Sequence, residues 1–143
     1  MTQRSERELT FFIDRCLGKR YIASVLQRSG ITVEIHDDHF NQNVEDVDWL
    51  PEVGKRGWVV LTKDANISKN QLERMAVANA GVSLFVLASQ NLSGKQMAEI
   101  FLASITKMQE FVRQHPPPFI AKVYRDGRVK MWKDASALLS EFK

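Results

Sequence analysis

The chain has 143 residues, of which 44% are hydrophobic and 26% charged, and these are the proportions of an ordinary globular domain. No apolar run approaches the roughly 20 residues that a membrane helix needs, and the polar N-terminus lacks the apolar core of a secretory signal. The single cysteine, Cys16, excludes an internal disulfide, so we expect a cytoplasmic protein without a membrane partner. A net charge of +3 is compatible with a polyanionic partner.

The first half of the chain alternates short apolar runs with amphipathic segments. Residues 1–8 are polar, and we expect them to form a flexible tail. The pattern predicts strands over residues 9–14, 31–35 and 58–62, a polar loop over 36–41, and helices over 19–29 and 46–55. Because Pro51 fits only near a helix start, we expect the second helix to begin near Val47 or Asp48 with an aspartate as its N-cap.

The second half begins with two hydroxyl-led capping patterns, Ser68 with Gln71 and Ser93 with Gln96. They predict helices over 69–80 and 94–114, separated by a buried strand over 82–88. Asp126-Gly127 predicts a hairpin between strands at 119–124 and 129–133, and a short helix follows from about residue 134. The hairpin aromatics Tyr124 and Trp132 are candidates for contact with RNA or a partner.

These elements predict an α/β fold, a three-layer α/β/α sandwich with a mainly parallel central sheet. We expect one domain over residues 1–143, in which residues 119–143 add a C-terminal β-hairpin and a short helix.

Three aspartates stand at the ends of predicted elements. Asp14 closes the first apolar run, Asp64 closes the third, and Asp46 opens the helix between them. The carboxyl ends of parallel strands form the ligand-binding edge of such a sheet, so we expect these side chains to lie together. Clustered carboxylates repel one another unless a cation neutralises them, and Mg²⁺ or Mn²⁺ prefers oxygen ligands. The pattern therefore predicts metal-dependent hydrolysis of a phosphoester bond.

The identity of the helix-borne ligand is open between Asp46 and Asp48. On a helix the two side chains point about 200° apart, so only one of them faces the metal, and either also suits a helix cap. Thr62 either holds Asp64 or binds a phosphate. Lys63 and Arg15 are the candidate basic groups for the substrate.

Taken together, these segments resemble the PIN-like domain superfamily, in particular its compact VapC-toxin-like branch. The residues that carry the resemblance are Phe11-Phe12-Ile13-Asp14, Asp46-x-x-Trp49-Leu50, and Lys55-Arg56-Gly57-Trp58 through Thr62-Lys63-Asp64. The resemblance implies that Asp14, Asp46 and Asp64 are the catalytic ligands of Mg²⁺ or Mn²⁺, and it favours Asp46 over Asp48. It also implies an endoribonuclease, the toxin of a toxin–antitoxin pair, with RNA, an antitoxin protein and a second copy of the chain as partners.

Two departures from the family pattern leave alternatives open. A further acidic residue is expected between the first strand and the Asp46 helix, where Glu34, Asp37 and Asp38 are the candidates. Asn66 stands where compact members often have a second aspartate. One alternative is therefore a catalytically silent PIN-like interaction module. Another is a receiver-type domain that accepts a phosphoryl group on Asp64, although receivers carry an acidic pair after the first strand.

Overall fold

The computed structural model describes residues 9–18 and 20–142, which form one six-stranded sheet with helices on both faces. The strands are β1 (Thr10–Ile13), β2 (Thr32–Ile35), β3 (Val59–Thr62), β4 (Ser83–Leu87), β5 (Phe119–Val123) and β6 (Val129–Lys133). The helices are α1 (Tyr21–Arg28), α2 (Asp46–Lys55), α3 (Asn66–Lys69), α4 (Gln71–Ala80), α5 (Gly94–Gln114) and α6 (Ala135–Glu141). The predicted tail over residues 1–8 lies outside the described residues.

The strand order is β2-β1-β3-β4-β5-β6, and every neighbouring pair is parallel except β5 with β6. Successive side chains of a strand point to opposite faces, so Phe11 joins one core and Phe12 the other. Helices α1 and α5 cover the Phe11 face, whereas α2, α4 and α6 cover the Phe12 face. The prediction of a three-layer α/β/α sandwich is confirmed. Within the described residues, no helix has the length and apolar character that a bilayer crossing requires.

Parallel pairing of β1 with β3 brings their C-terminal ends to one edge of the sheet. Ile13 is in register with Leu61, and the Asp14 amide donates a hydrogen bond to the Leu61 carbonyl over 3.0 Å. Helices α2 and α4 lead into β3 and β4 respectively and run antiparallel to them, so both helices begin at this same edge. Two strand ends and two helix N-termini therefore converge there. We call it the catalytic edge below.

One predicted helix start and one predicted N-cap are wrong, whereas the bounds predicted for the helix over 46–55 are confirmed. The helix expected over 69–80 is divided into α3 and α4, and Asn70 caps α4 by accepting the Glu73 amide over 3.1 Å. Helix α2 begins at Asp46 with Glu45 as its N-cap residue, so neither Asp46 nor Asp48 is the cap. In both cases adjacent polar residues precede the helix. The pattern of apolar residues does not decide which of these polar residues is the N-cap and which begins the helix.

The second capping pattern and the hairpin are confirmed. Ser93 and Gln96 form the predicted reciprocal cap of α5. The turn between β5 and β6 contains Gly127 at a φ of 89°, a left-handed conformation that glycine adopts without strain.

Helices α2 and α4 approach each other closely at Gly54. A Cβ added at Gly54 would lie 2.5 Å from the Ala80 carbonyl oxygen, which is closer than real Cβ atoms come to backbone.

We expect Gly54→Ala to lower the free energy of unfolding by about 1–3 kcal/mol in urea denaturation, because the two helices must move apart. Gly94→Ala is the matched control, since its Cβ would meet Tyr21 at an ordinary 3.6 Å. The control should leave stability unchanged or raise it slightly. Equal stability of Gly54→Ala and the native chain would contradict this packing.

Candidate metal centre

Three carboxylates from different elements meet at the catalytic edge. Asp46 is the first residue of α2, Asp64 follows the end of β3, and Glu73 lies in the first turn of α4. One ligand oxygen from each lies within 4.8 Å of the others, and all three side chains are half-buried. We call these residues the acidic trio. The structure thus brings Asp46 and Asp64 together, as expected, and adds Glu73, which the sequence did not single out.

Asp14 lies beside the trio in a more enclosed position. Its side chain is 5% exposed, and one of its carboxylate oxygens accepts a 2.7 Å hydrogen bond from the Thr62 hydroxyl. The same hydroxyl accepts the Asp64 amide over 3.0 Å, so Thr62 connects two of the predicted site residues. The Cys16 thiol lies 3.2 Å from this hydroxyl and 3.5 Å from the Asp14 carboxylate. Thr62 is fully buried, and here it orients acidic groups.

Burial and mutual repulsion perturb the carboxyl groups at this edge. The pKa of Asp46 is raised to about 7, first by burial, then by the charge of Asp14 and by the hydrogen bond with Glu73. Burial is also the first cause that raises the pKa of Glu73 and of Asp14. Carboxylates this close repel one another, so Asp46 keeps its proton to a higher pH than an ordinary aspartate does.

One oxygen of Glu73 supports a metal role for this arrangement. Among the described side chains, Glu73 Oε1 is buried without a hydrogen-bond partner. A buried oxygen without a hydrogen-bond partner or a cation normally destabilises the folded state. A hard divalent cation accepts carboxylate oxygens as ligands, and the trio offers three of them on one side. The donor set and the unsatisfied oxygen therefore both fit Mg²⁺ or Mn²⁺.

The remaining predicted site residues lie around this centre in different ways. Asp48 is exposed and lies outside the trio, so of the two helix-borne candidates only Asp46 faces Asp64. Arg15 donates to Asp37 over 3.1 Å and keeps a side-chain exposure of 38%. Lys63 is half-buried, with its amide donating to Cys16 and its carbonyl accepting from Gln90.

None of the acidic residues that were expected to contribute from before the Asp46 helix belongs to the trio. Glu34 binds His39 at 2.6 Å, and Asp37 and Asp38 pair with Arg15 and Arg20, so these three candidates lie outside the trio. Glu73 comes nine residues after Asp64, in the helix that starts at the same edge. The sequence signal was Asn70-x-x-Glu73, a capping pattern that would have placed Glu73 in a first helical turn.

A mainly parallel α/β/α sandwich with carboxylates gathered at one strand-end edge defines a PIN-type domain. The model of the PIN like domain matches residues 9–89, and the chain belongs to this family, as its motifs predicted. A Mycobacterium tuberculosis protein named "Putative ribonuclease VapC45" is 31% identical over 124 residues, which cover 84% of this chain and 89% of that protein. No solved structure matches the chain. Asp14, Asp46, Asp64 and Glu73 all lie within the matched range.

The raised pKa of Asp46 gives the metal-free protein an unusual pH dependence. Its folded pKa of about 7 exceeds the ordinary value of 3.8, so the folded state holds a proton that the unfolded chain releases. The free energy of unfolding should therefore fall as the pH rises from about 5 to about 7. Thermal melts in EDTA measure this slope. Asp126 and Glu141 have lowered pKa values and do not titrate in that window.

Two variants separate this effect from general surface titration. Asp46→Asn should reduce the slope, because Glu73 and Asp14, whose pKa values are also raised, supply the remainder. Asp48→Asn, an identical change on the exposed side of α2, should preserve it. Added Mn²⁺ should raise the melting temperature more at about pH 8 than at about pH 5, because ligation requires the unprotonated carboxylate. A flat profile in the unsubstituted protein would contradict the retained proton.

Proposed function

We propose that this chain is a metal-dependent endoribonuclease that hydrolyses phosphodiester bonds of RNA. The observation that carries the proposal is the acidic trio, in which Glu73 retains an unsatisfied buried oxygen. Membership of the PIN-like family and the ribonuclease name of the mycobacterial relative support the same activity. An interaction module without chemistry would have no reason to keep three carboxylates within 4.8 Å at the cost of their mutual repulsion.

Asp46, Asp64 and Glu73 are the residues that we assign to Mg²⁺ or Mn²⁺, and Asp14 completes the set with its second carboxylate oxygen. When bound, the metal ion would lower the pKa of a coordinated water and neutralise charge on the phosphoryl oxygens. Thr62 holds Asp14 and the backbone of Asp64 in a fixed relation, so the ligand oxygens are positioned before the substrate arrives.

Basic groups beside the trio are assigned to the substrate. Lys63 directly precedes Asp64, and Arg15 directly follows Asp14, so both cations stand next to a proposed ligand. Either can attract a phosphate of the RNA backbone, and Lys63 can also stabilise the charge that develops in the transition state. The ion pair with Asp37 holds the Arg15 side chain in one orientation.

The biological setting follows from the same resemblance. We infer that the chain acts in the cytoplasm as the toxin of a toxin–antitoxin pair, inhibited by an antitoxin protein, and that it forms a homodimer. The silent-module alternative rested on a missing acidic residue, and the position of Glu73 within the trio supports its assignment to that role. The receiver-type alternative loses support because two members of the trio are carried by helices.

The decisive test is cleavage of an end-labelled RNA with Mn²⁺, Mg²⁺ or EDTA. We expect metal-dependent cleavage, and a loss of kcat of about a hundredfold or more in Asp64→Asn and in Glu73→Gln, because each removes a ligand charge. Calorimetric Mn²⁺ titration of the same variants should show weaker binding. Asp48→Asn is the matched control and should cleave like the unsubstituted chain.

Two outcomes would contradict these assignments. If Glu73→Gln retains full activity while Asp64→Asn loses it, Glu73 is not a ligand. If the unsubstituted chain binds Mn²⁺ and cleaves no RNA with any metal, the endonuclease proposal is wrong.

A further inference from the structure

A large aromatic side chain is exposed on the last strand of the sheet. Trp132 of β6 is 41% exposed, and two ammonium groups approach its ring, Lys122 Nζ at 5.7 Å and Lys133 Nζ at 5.3 Å. Lys130 is exposed on the same strand and lies opposite Lys122 in the β5–β6 register. We call these four residues the hairpin patch.

The hairpin patch lies on the same face of the sheet as the acidic trio. Val129 and Met131 pack against the core on the α1 and α5 side, so the alternating residues Lys130 and Trp132 point to the opposite side. That side carries α2 and α4, which supply Asp46 and Glu73. The trio and the hairpin patch therefore lie on the same side of the sheet.

One carboxylate links the hairpin patch to the helix that carries Glu73. Glu141 accepts Lys133 over 2.9 Å and Arg74 over 2.6 Å, and Arg74 directly follows Glu73 in α4. Lys133 and Arg74 thus share a single partner, which fixes β6 relative to the start of α4. Glu141 therefore connects one residue of the hairpin patch to the first turn of the helix that carries Glu73.

The hairpin also concentrates positive charge. Residues 119–134 contain five basic and two acidic residues, and one of the two acids, Asp126, is paired with Arg128 at 2.7 Å. Among the described residues, no carboxylate forms an ion pair with Lys122 or Lys130. These two cations are therefore available to an anionic ligand from outside the chain.

Protection of the sheet edge against pairing with other chains explains the lysines of the hairpin patch but not its exposed tryptophan. β6 is an edge strand, and lysines on an edge strand prevent pairing with other chains. An exposed indole does the reverse, since it adds apolar surface at a place where association is harmful. A nucleotide is complementary to Trp132 and its neighbouring lysines, because it has a base for the ring and a phosphate for the ammonium groups.

We propose that the hairpin patch is a binding subsite for single-stranded RNA, with a base stacked on Trp132 and phosphates held by Lys122 and Lys130. The inference rests on the proposed ribonuclease activity and places RNA that flanks the cleaved bond on this patch. Single strands are favoured over duplexes because only unstacked bases can reach the indole.

Binding is measured in EDTA, where no cleavage occurs, by anisotropy of a fluorescein-labelled single-stranded RNA of ten nucleotides. Trp132→Ala should raise Kd about tenfold, and Trp132→Phe should recover most of the affinity because it retains a stacking ring. Lys130→Ala should reduce the slope of log Kd against log salt by about 0.7, as the loss of one phosphate contact predicts. Circular dichroism melts confirm that each variant is folded.

Tyr21→Ala is the matched control, because Tyr21 is an exposed aromatic residue, 52% accessible, on the opposite face of the sheet. It should bind RNA like the unsubstituted chain. An unchanged Kd in Trp132→Ala, or an equal loss in Tyr21→Ala, would overturn the proposal. A decaglutamate peptide tests the competing ligand: if Trp132→Ala weakens its binding as much as that of RNA, the patch recognises acidic protein instead. Absence of cleavage by the unsubstituted chain would refute the nuclease proposal and leave this binding result intact.

Discussion

The repulsion among carboxylates at the catalytic edge is the constraint on which the rest of this structure depends. Asp14, Asp46, Asp64 and Glu73 reach the edge from two strand ends and two helix N-termini. Burial and the charges of neighbouring carboxylates raise the pKa values of Asp46 and Glu73. Helix N-termini carry partial positive charge, so placing Asp46 and Glu73 in first helical turns offsets part of the repulsion. The retained proton and the Thr62 hydroxyl offset more of it. The negative charge that remains favours binding of a cation at this edge.

The hydrophobic core holds the acidic groups against that repulsion. Trp49 is 1% exposed and packs in the core, yet its indole nitrogen donates to Asp46 over 2.9 Å. This hydrogen bond attaches Asp46 to the closely packed hydrophobic core. The close approach at Gly54 has the same consequence for Glu73, because it keeps α4 near α2. Packing energy that is distributed over the Phe12 face thus fixes the spacing of the charges at the edge.

The sequence predicted those site residues whose position follows from the end of an apolar run. Asp14 and Asp64 each end such a run, so strand periodicity and parallel pairing suffice to bring them to one edge. Glu73 could not be found in this way, because it lies on a half-exposed helix where most glutamates are only solvated surface residues. Its role depends on where α4 begins, and the break at Asn70 is decided by a side-chain cap. The polar sequence of the loop after β2 likewise did not reveal that His36 is buried, 2% exposed among Phe12, Phe40 and Trp49.

The proposed metal ligands and the proposed RNA-binding residues lie in different parts of the chain. The matched range, residues 9–89, contains every carboxylate that we assign to the metal, whereas Lys122, Lys130 and Trp132 lie beyond it. A metal site tolerates little change, because its ligand oxygens must converge on one ion at coordination distance. A stacking surface on an edge hairpin tolerates much more, since a base is accepted by any flat ring with nearby positive charge. On these proposals the acidic edge supplies the chemistry common to the family, and the hairpin is where this chain selects the RNA that reaches it.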